Sequence, residues 1–323
     1  MPMSERSIFA ADAITEETRA FNARLAEALA QAPPTHEQEP AAIRAAREQG
    51  GGPFGPIVKL EQARERTLEV GGRSVPARLL VPDRVEGVYL YLHGGGWVLG
   101  TADSQDPALW ETATRANVAV VSVEYRLAPE HPYPAGPDDC ERAALWLAER
   151  ARSEFGTDRL VIGGGSAGGH LAAVTLLRMR DRHGFSGFAA ANLVFGVYDL
   201  SMTPSQRQGR DAPLIPTATM EWFYRHFIGD RDPRDPDVSP LFADLRGLPP
   251  ALFTVGTLDP LLDDSLFMYE RWRAAGNEGE LAVYPGGIHG FIAMPIAIGR
   301  EATERQNGFI AAAVARRTAV AGG

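Results

Sequence analysis

The sequence predicts an α/β protein, a mainly parallel sheet covered by helices on both faces. Three observations carry that expectation. Short apolar runs recur at 88–92, 118–123, 160–162, 191–195, 251–255 and 281–283. They do not alternate with polar residues, as strands buried on both faces do not. Helical periodicities fill the gaps between them, at 104–116, 137–152, 167–182, 260–275 and 300–317, and strands alternating with helices build parallel sheets.

The elements follow in order. Residues 1–55 are rich in Ala and Glu, and Phe21, Leu25 and Leu29 recur every four residues. That spacing puts them on one face of an amphipathic helix. Pro33-Pro34 breaks it, and Gly50-Gly51-Gly52-Pro53 closes the region. A short helix with one apolar face makes no core alone, so it should lie across the rest as a cap segment. A catalytic domain is expected over 56–323. It opens with strand-like runs at 67–70 and 75–81 around Gly71-Gly72, the pattern of a hairpin. The alternating strands and helices come next. Residues 198–240 fit that alternation poorly. They hold prolines at 204, 213, 216, 233, 236 and 240, with Trp222-Phe223-Tyr224 between them. A long excursion between two strands usually carries function, and a second cap segment is expected here.

Composition excludes several classes. The chain has 323 residues, is 45% hydrophobic and carries a net charge of −9. A core of good size is expected, and no block of Lys and Arg is present to displace counterions from nucleic acid. A single cysteine, Cys140, rules out an intramolecular disulfide, and no Cys/His spacing points to a metal. The opening residues lack the apolar core of a leader, and no apolar run is long enough to span a bilayer. Cytoplasmic residence, no cofactor and a small-molecule partner are expected, with no membrane or nucleic-acid partner. A homodimer is compatible with the chain.

The chemistry is concentrated in four places. Gly164-Gly165-Ser166-Ala167-Gly168 follows a strand and precedes a helix. The chain must turn at one residue, which takes a strained conformation and holds its hydroxyl outward, while flanking glycines avoid Cβ clashes. Ser166 is the expected nucleophile. His93-Gly94-Gly95-Gly96 follows the strand at 88–92. Three glycines in succession pack nothing and expose backbone N–H groups, so Gly95, Gly96 and Ala167 are the expected oxyanion donors. His93 itself is expected to bond to backbone. His289 lies between Gly287 and Gly290 just after the last strand run, and it is the expected base. Asp259 follows the strand at 251–255 and precedes Pro260. It is the expected acid, a role compatible with capping the next helix. The order Ser, Asp, His along the chain is the order this turn type uses. Trp97, Phe21, Leu25, Trp222 and Phe223 are pocket candidates.

Together these motifs resemble the hormone-sensitive-lipase-like carboxylesterases of the α/β-hydrolase fold, over about residues 60–317. The likeness rests on His93-Gly94-Gly95-Gly96, on Tyr125-Arg126-Leu127-Ala128-Pro129-Glu130 with His131-Pro132-Tyr133-Pro134-Ala135, on Ser166-Ala167-Gly168-Gly169, on Asp259-Pro260-Leu261 with Asp263-Asp264, and on His289-Gly290-Phe291. The resemblance implies an eight-stranded sheet, a mainly helical cap, and a preference for esters with short or medium acyl chains. The stretch from Tyr125 to Glu130 is expected as scaffold, with its Arg and Glu in a charged network. One departure is Gly165, where the family often has Asp or Thr. An amidase or specialised deacylase would use the same residues. A non-catalytic receptor of the same fold would most simply have lost the base, which is present here.

Overall fold

The computed structural model describes residues 7–52 and 55–316. Residues 1–6, Pro53 at the close of the first region, and 317, the last position of the expected final helix, lie outside the described residues.

Eight strands form one sheet: β1 (Ala63–Val70), β2 (Arg73–Leu80), β3 (Gly87–Leu92), β4 (Val118–Val123), β5 (Leu160–Gly165), β6 (Phe188–Val194), β7 (Ala251–Gly256) and β8 (Gly279–Tyr284). Their order is β1-β2-β4-β3-β5-β6-β7-β8. Strand β2 is antiparallel to β1 and to β4, and all other pairings are parallel. The expected α/β class and the eight-stranded sheet are found.

The helices are α1 (Glu16–Leu29), α2 (Pro40–Glu48), α3 (Asp106–Ala116), α4 (Ala135–Phe155), α5 (Ala167–His183), α6 (Pro204–Gln208), α7 (Thr217–Ile228), α8 (Leu262–Ala274) and α9 (Ala297–Ala315). Strand β3 shows how the two faces are filled. Val88, Leu90 and Leu92 face a core shared with α4, α5 and α8, while Tyr89 and Tyr91 face one shared with α3 and α9. Successive side chains point to opposite faces, so a run apolar at every position is what two covered faces require. Cys140 is buried in α4.

Several elements differ from the sequence expectation. Strand β1 begins at Ala63, four residues earlier than expected, because Arg64, Glu65 and Arg66 are solvent-exposed and hide the strand pattern. Strand β6 starts at Phe188, before its expected 191, and ends at Val194. Helix α2 was not anticipated. Its buried residues are Pro40 and Ile43.

All the turns that matter for chemistry lie at the carboxyl ends of β3, β5, β7 and β8. Helix α1 lies across that end. Its Asn22 amide donates to the Gly286 carbonyl at 2.9 Å, and its Glu17 accepts the Ala297 N–H at 3.1 Å. Phe21 and Leu25 pack against the cluster around Phe195, Ile288 and Phe291. Helix α7 covers the same end from the other side, and His36 reaches its Thr219 hydroxyl at 3.0 Å. Among the described residues, no helix is long and apolar enough to cross a membrane.

Candidate active site

Ser166 occupies the turn between β5 and α5 with φ 58° and ψ −122°. A non-glycine residue rarely adopts this conformation, and it persists only when its surroundings enforce it. They do so through close backbone packing. A Cβ on Gly164 would stand 2.1 Å from the Leu92 carbonyl oxygen, and one on Gly168 1.9 Å from the same atom. The Ser166 N–H donates to Val194 O at 2.9 Å. The hydroxyl therefore projects beyond the sheet, with the Ala167 N–H at the first turn of a helix whose amino end favours negative charge.

The ends of β7 and β8 meet through two more glycines. A Cβ on Gly256 would lie 2.0 Å from the Gly287 carbonyl oxygen. Thr257 N–H donates to Tyr284 O, and Leu258 N–H to Gly287 O, both at 3.0 Å. This contact sets Asp259 beside His289. The imidazole Nδ1 lies 3.0 Å and 3.1 Å from the two Asp259 carboxylate oxygens, and Nε2 lies 3.0 Å from Ser166 Oγ. With its proton on Nδ1, His289 donates to Asp259 and accepts from the serine hydroxyl. Asp259 is 3% exposed and His289 8%, so water competes little for these bonds. Asp259 Oδ1 also accepts the Leu261 N–H at 2.9 Å. The carboxylate thus stiffens the turn into α8, whose cap residue proper is Leu261.

The glycine loop after β3 lies against this row. A Cβ on Gly94 would come within 2.9 Å of the Gly165 oxygen and 3.5 Å of Ser166 Cβ. Gly95 and Gly96 have φ of 116° and 61°. The Gly95 carbonyl accepts from Val98 and Leu99, while among the described residues the Gly95 and Gly96 amides have no protein acceptor. His93 points inward. Its Nδ1 lies 2.9 Å from the Gly94 oxygen, its ring stacks 4.1 Å from Tyr125, and burial pushes its pKa down to about 4. It is a structural histidine.

The pocket candidates fall into three groups. Phe21 and Leu25 join the apolar cluster around Ile288 and Phe291 beside His289. Phe223 covers the glycine loop, since a Cβ on Gly96 would stand 2.2 Å from its ring, and Trp222 packs edge-on behind it at 5.1 Å. Trp97 is 2% exposed and braces the loop from behind, stacked 4.4 Å from Phe227 with its N–H bonded to His170. Its ring has no free face for a ligand.

Gly165 also has a physical account here. A Cβ at 165 would lie 3.1 Å from Phe195 Cε2. Phe195 sits just past β6 with φ 34°, and its ring lies 4.8 Å from the His289 ring. In this chain a side chain at 165 would press on the aromatic ring beside His289.

Sequence reasoning missed Phe195, His170 and Asp264. Asp264, fully buried, accepts from the backbone N–H groups of Tyr198 and Asp199, the Thr203 hydroxyl and the Gln206 amide. It fastens the 198–206 segment to the helix that follows Asp259. The Asp263-Asp264 pair was the available signal. The charged scaffold is present as expected, with Arg126 paired to Asp139 at 2.8 Å and Glu130 to Arg44 of α2.

The fold and the strand–turn–helix at Ser166 define an α/β hydrolase. A family model of the alpha/beta hydrolase fold matches residues 89–293. Carboxylesterase NlhH of Mycobacterium tuberculosis is 38% identical over 261 residues, which cover 75% of this chain and 79% of that one. Ethyl acetate hydrolase of Pseudomonas putida is 34% identical, covering 69% and 73%. The hyperthermophilic esterase from Pyrobaculum calidifontis superposes with a TM-score of 0.82 at 31% identity, covering 93% of this chain and 99% of that one. The chain belongs to the hormone-sensitive-lipase-like family of α/β hydrolases.

Proposed function

We propose that this chain is a serine carboxylesterase that hydrolyses esters of short to medium acyl chains, using Ser166, His289 and Asp259. The observation that carries the reading is the unbroken row of hydrogen bonds from the Asp259 carboxylate through both His289 nitrogens to Ser166 Oγ. The relatives named as carboxylesterases and ethyl acetate hydrolase support the same chemistry.

The geometry suits two-step acyl transfer. Ser166 Oγ attacks the ester carbonyl carbon as its proton passes to His289 Nε2. Asp259 holds the ring in the Nδ1–H tautomer and stabilises the imidazolium that forms. The amides of Gly95, Gly96 and Ala167 stabilise the oxyanion. The intermediate collapses, the C–O bond to the alcohol breaks, and His289 returns its proton to that oxygen. Water then attacks the acyl-serine by the same route, releasing the acid and restoring Ser166. Phe21, Leu25 and Phe223, backed by Trp222, would contact the acyl or alcohol chain.

The test is hydrolysis of p-nitrophenyl esters from acetate to palmitate, with Ser166→Ala as control. Turnover should peak on short or medium chains, and the variant should lose roughly 10⁶-fold in kcat. A variant retaining a tenth of the activity would remove Ser166 from this role. Turnover of anilides without turnover of esters would replace the esterase reading by an amidase.

A further inference from the structure

We propose that Trp97 and His170 are positioning residues for the oxyanion loop, through a buried relay from Trp97 to His170 to the Val238 carbonyl. This rests on the esterase reading and deepens it.

The loop needs an external guide. Three successive glycines have no conformational preference of their own, so the direction of the Gly95 and Gly96 amides is decided by what holds the loop's end. That end is Trp97, the residue after Gly96, with φ 60°. Its Nε1–H donates to His170 Nδ1 at 3.0 Å, and His170 Nε2 lies 2.8 Å from the Val238 carbonyl oxygen. Only a neutral imidazole with its proton on Nε2 satisfies both partners. A protonated ring would face the indole N–H with a second donor. Burial keeps the ring neutral, lowering its pKa to about 4.

The relay is tied to the nucleophile. His170 stands one turn along α5 from Ser166, and its backbone N–H donates to the Ser166 carbonyl at 3.1 Å. One residue therefore references both the serine and the loop that would hold the oxyanion. On the far side, the Trp97 ring lies 4.4 Å from Phe227 of α7 with planes 4° apart, and the Trp97 carbonyl accepts the Ala128 N–H at 2.9 Å. Phe223, one turn earlier on α7, presses on Gly96. The loop is held between the nucleophile's helix and the cap helix. Donors fixed before the reaction need no reorganisation during it.

The experiment compares wild type, Trp97→Phe, His170→Phe, the double variant and His170→Gln. The substrates are p-nitrophenyl butyrate and its thiono counterpart, whose sulfur accepts hydrogen bonds weakly. Trp97→Phe keeps a ring on Phe227, and KM reports an intact pocket. Each single variant should lower kcat by about 10- to 100-fold, less than outright loss of a donor, with KM nearly unchanged. The oxo-to-thiono rate ratio should fall in proportion. The double variant should be no worse than His170→Phe, because both single variants remove the bond between Trp97 and His170. His170→Gln, able to accept from the indole and donate to the carbonyl, should recover most of the loss. Full kcat in Trp97→Phe, or additive losses with an unchanged oxo-to-thiono ratio, would overturn the relay alone. A wild type no more active on esters than Ser166→Ala would overturn the esterase reading, and the relay's role with it.

Discussion

The floor of the site and its cap are held by different kinds of interaction. On the floor, Ser166, Asp259 and His289 stand on turns between elements, fixed by backbone hydrogen bonds and by glycines in van der Waals contact with neighbouring strands. The segments that cover the site, α1 and the stretch around α7, are held by apolar packing of side chains, such as Phe227 on Trp97, and by single polar links. Asp264 gathers the 198–206 segment, His36 reaches Thr219, Asn22 reaches Gly286, and Arg178 joins Asp237 to Asp138 and Glu141. Backbone contacts between packed strands are short, many and cooperative. Side-chain links are few, and each can be cut alone. The floor should therefore tolerate almost no change and fail in kcat, whereas the cap should fail in stability or substrate range.

The largest effect that tests this contrast, after removal of Ser166, is Asp259→Asn. The amide cannot hold the Nδ1–H tautomer, and kcat should fall about 10⁴-fold with KM little changed. A loss below about 100-fold would remove Asp259 from the row. Next is Gly96→Ala. It combines a positive φ with a methyl group 2.2 Å from Phe223, so it should displace an oxyanion donor and cost about 10²- to 10³-fold in kcat. A circular dichroism melt close to wild type would show that the damage is local.

A cap link comes third. Burial pushes the Asp264 carboxyl from 3.8 up to about 7, even with four donors aimed at it. Asp199 lies on the same segment, and Tyr198 and Tyr224 face the carboxylate too. Because the folded state binds this proton more tightly than the unfolded chain, the group's contribution to stability is full below about pH 4 and is lost as pH rises through about 7. Asp264→Ala should cost about 1–3 kcal/mol at pH 5, since the buried donors lose their acceptor. Urea titrations at pH 5 and pH 8 should show the wild-type advantage shrinking by roughly 1 kcal/mol per pH unit across that window. A constant gap would mean that Asp264 does not titrate there. The smallest effect is expected for Phe21→Ala, which should lower kcat/KM for butyrate esters a few-fold and acetate esters less, by loss of buried apolar contact. Equal effects on both chain lengths would take Phe21 out of the pocket.

The floor was legible in the sequence because its constraints leave glycines beside the residues they position. Gly164 and Gly168 flank Ser166, Gly287 and Gly290 flank His289, and His93 leads three glycines. The atoms that demand these glycines are distant in sequence, Leu92 for Gly164 and Gly168, and Gly165 for Gly94, but the missing side chain is visible at the glycine itself, so the pattern survives in one dimension. Phe195 was not legible as a wall beside His289, because its partner, His289, lies 94 residues further along the chain. It read as the last residue of a strand. Trp97 read as a pocket residue, because nothing near it in sequence reveals an acceptor for its indole N–H.

By itself, then, the sequence determined the alternation of strands and helices, the strained serine turn, the glycine loop and the order of Ser166, Asp259 and His289 along the chain. These follow from side-chain period and from glycines, whose missing side chain shows at the position itself. Tertiary structure alone decided that His170, 73 residues from Trp97, accepts its N–H, that Phe195 fills the space beside Gly165, and that Asp264 fastens the cap. Those are pairings of buried polar atoms and rings. The partner of a buried donor is whichever acceptor the packed fold brings within about 3 Å, and no property of either residue names the other beforehand.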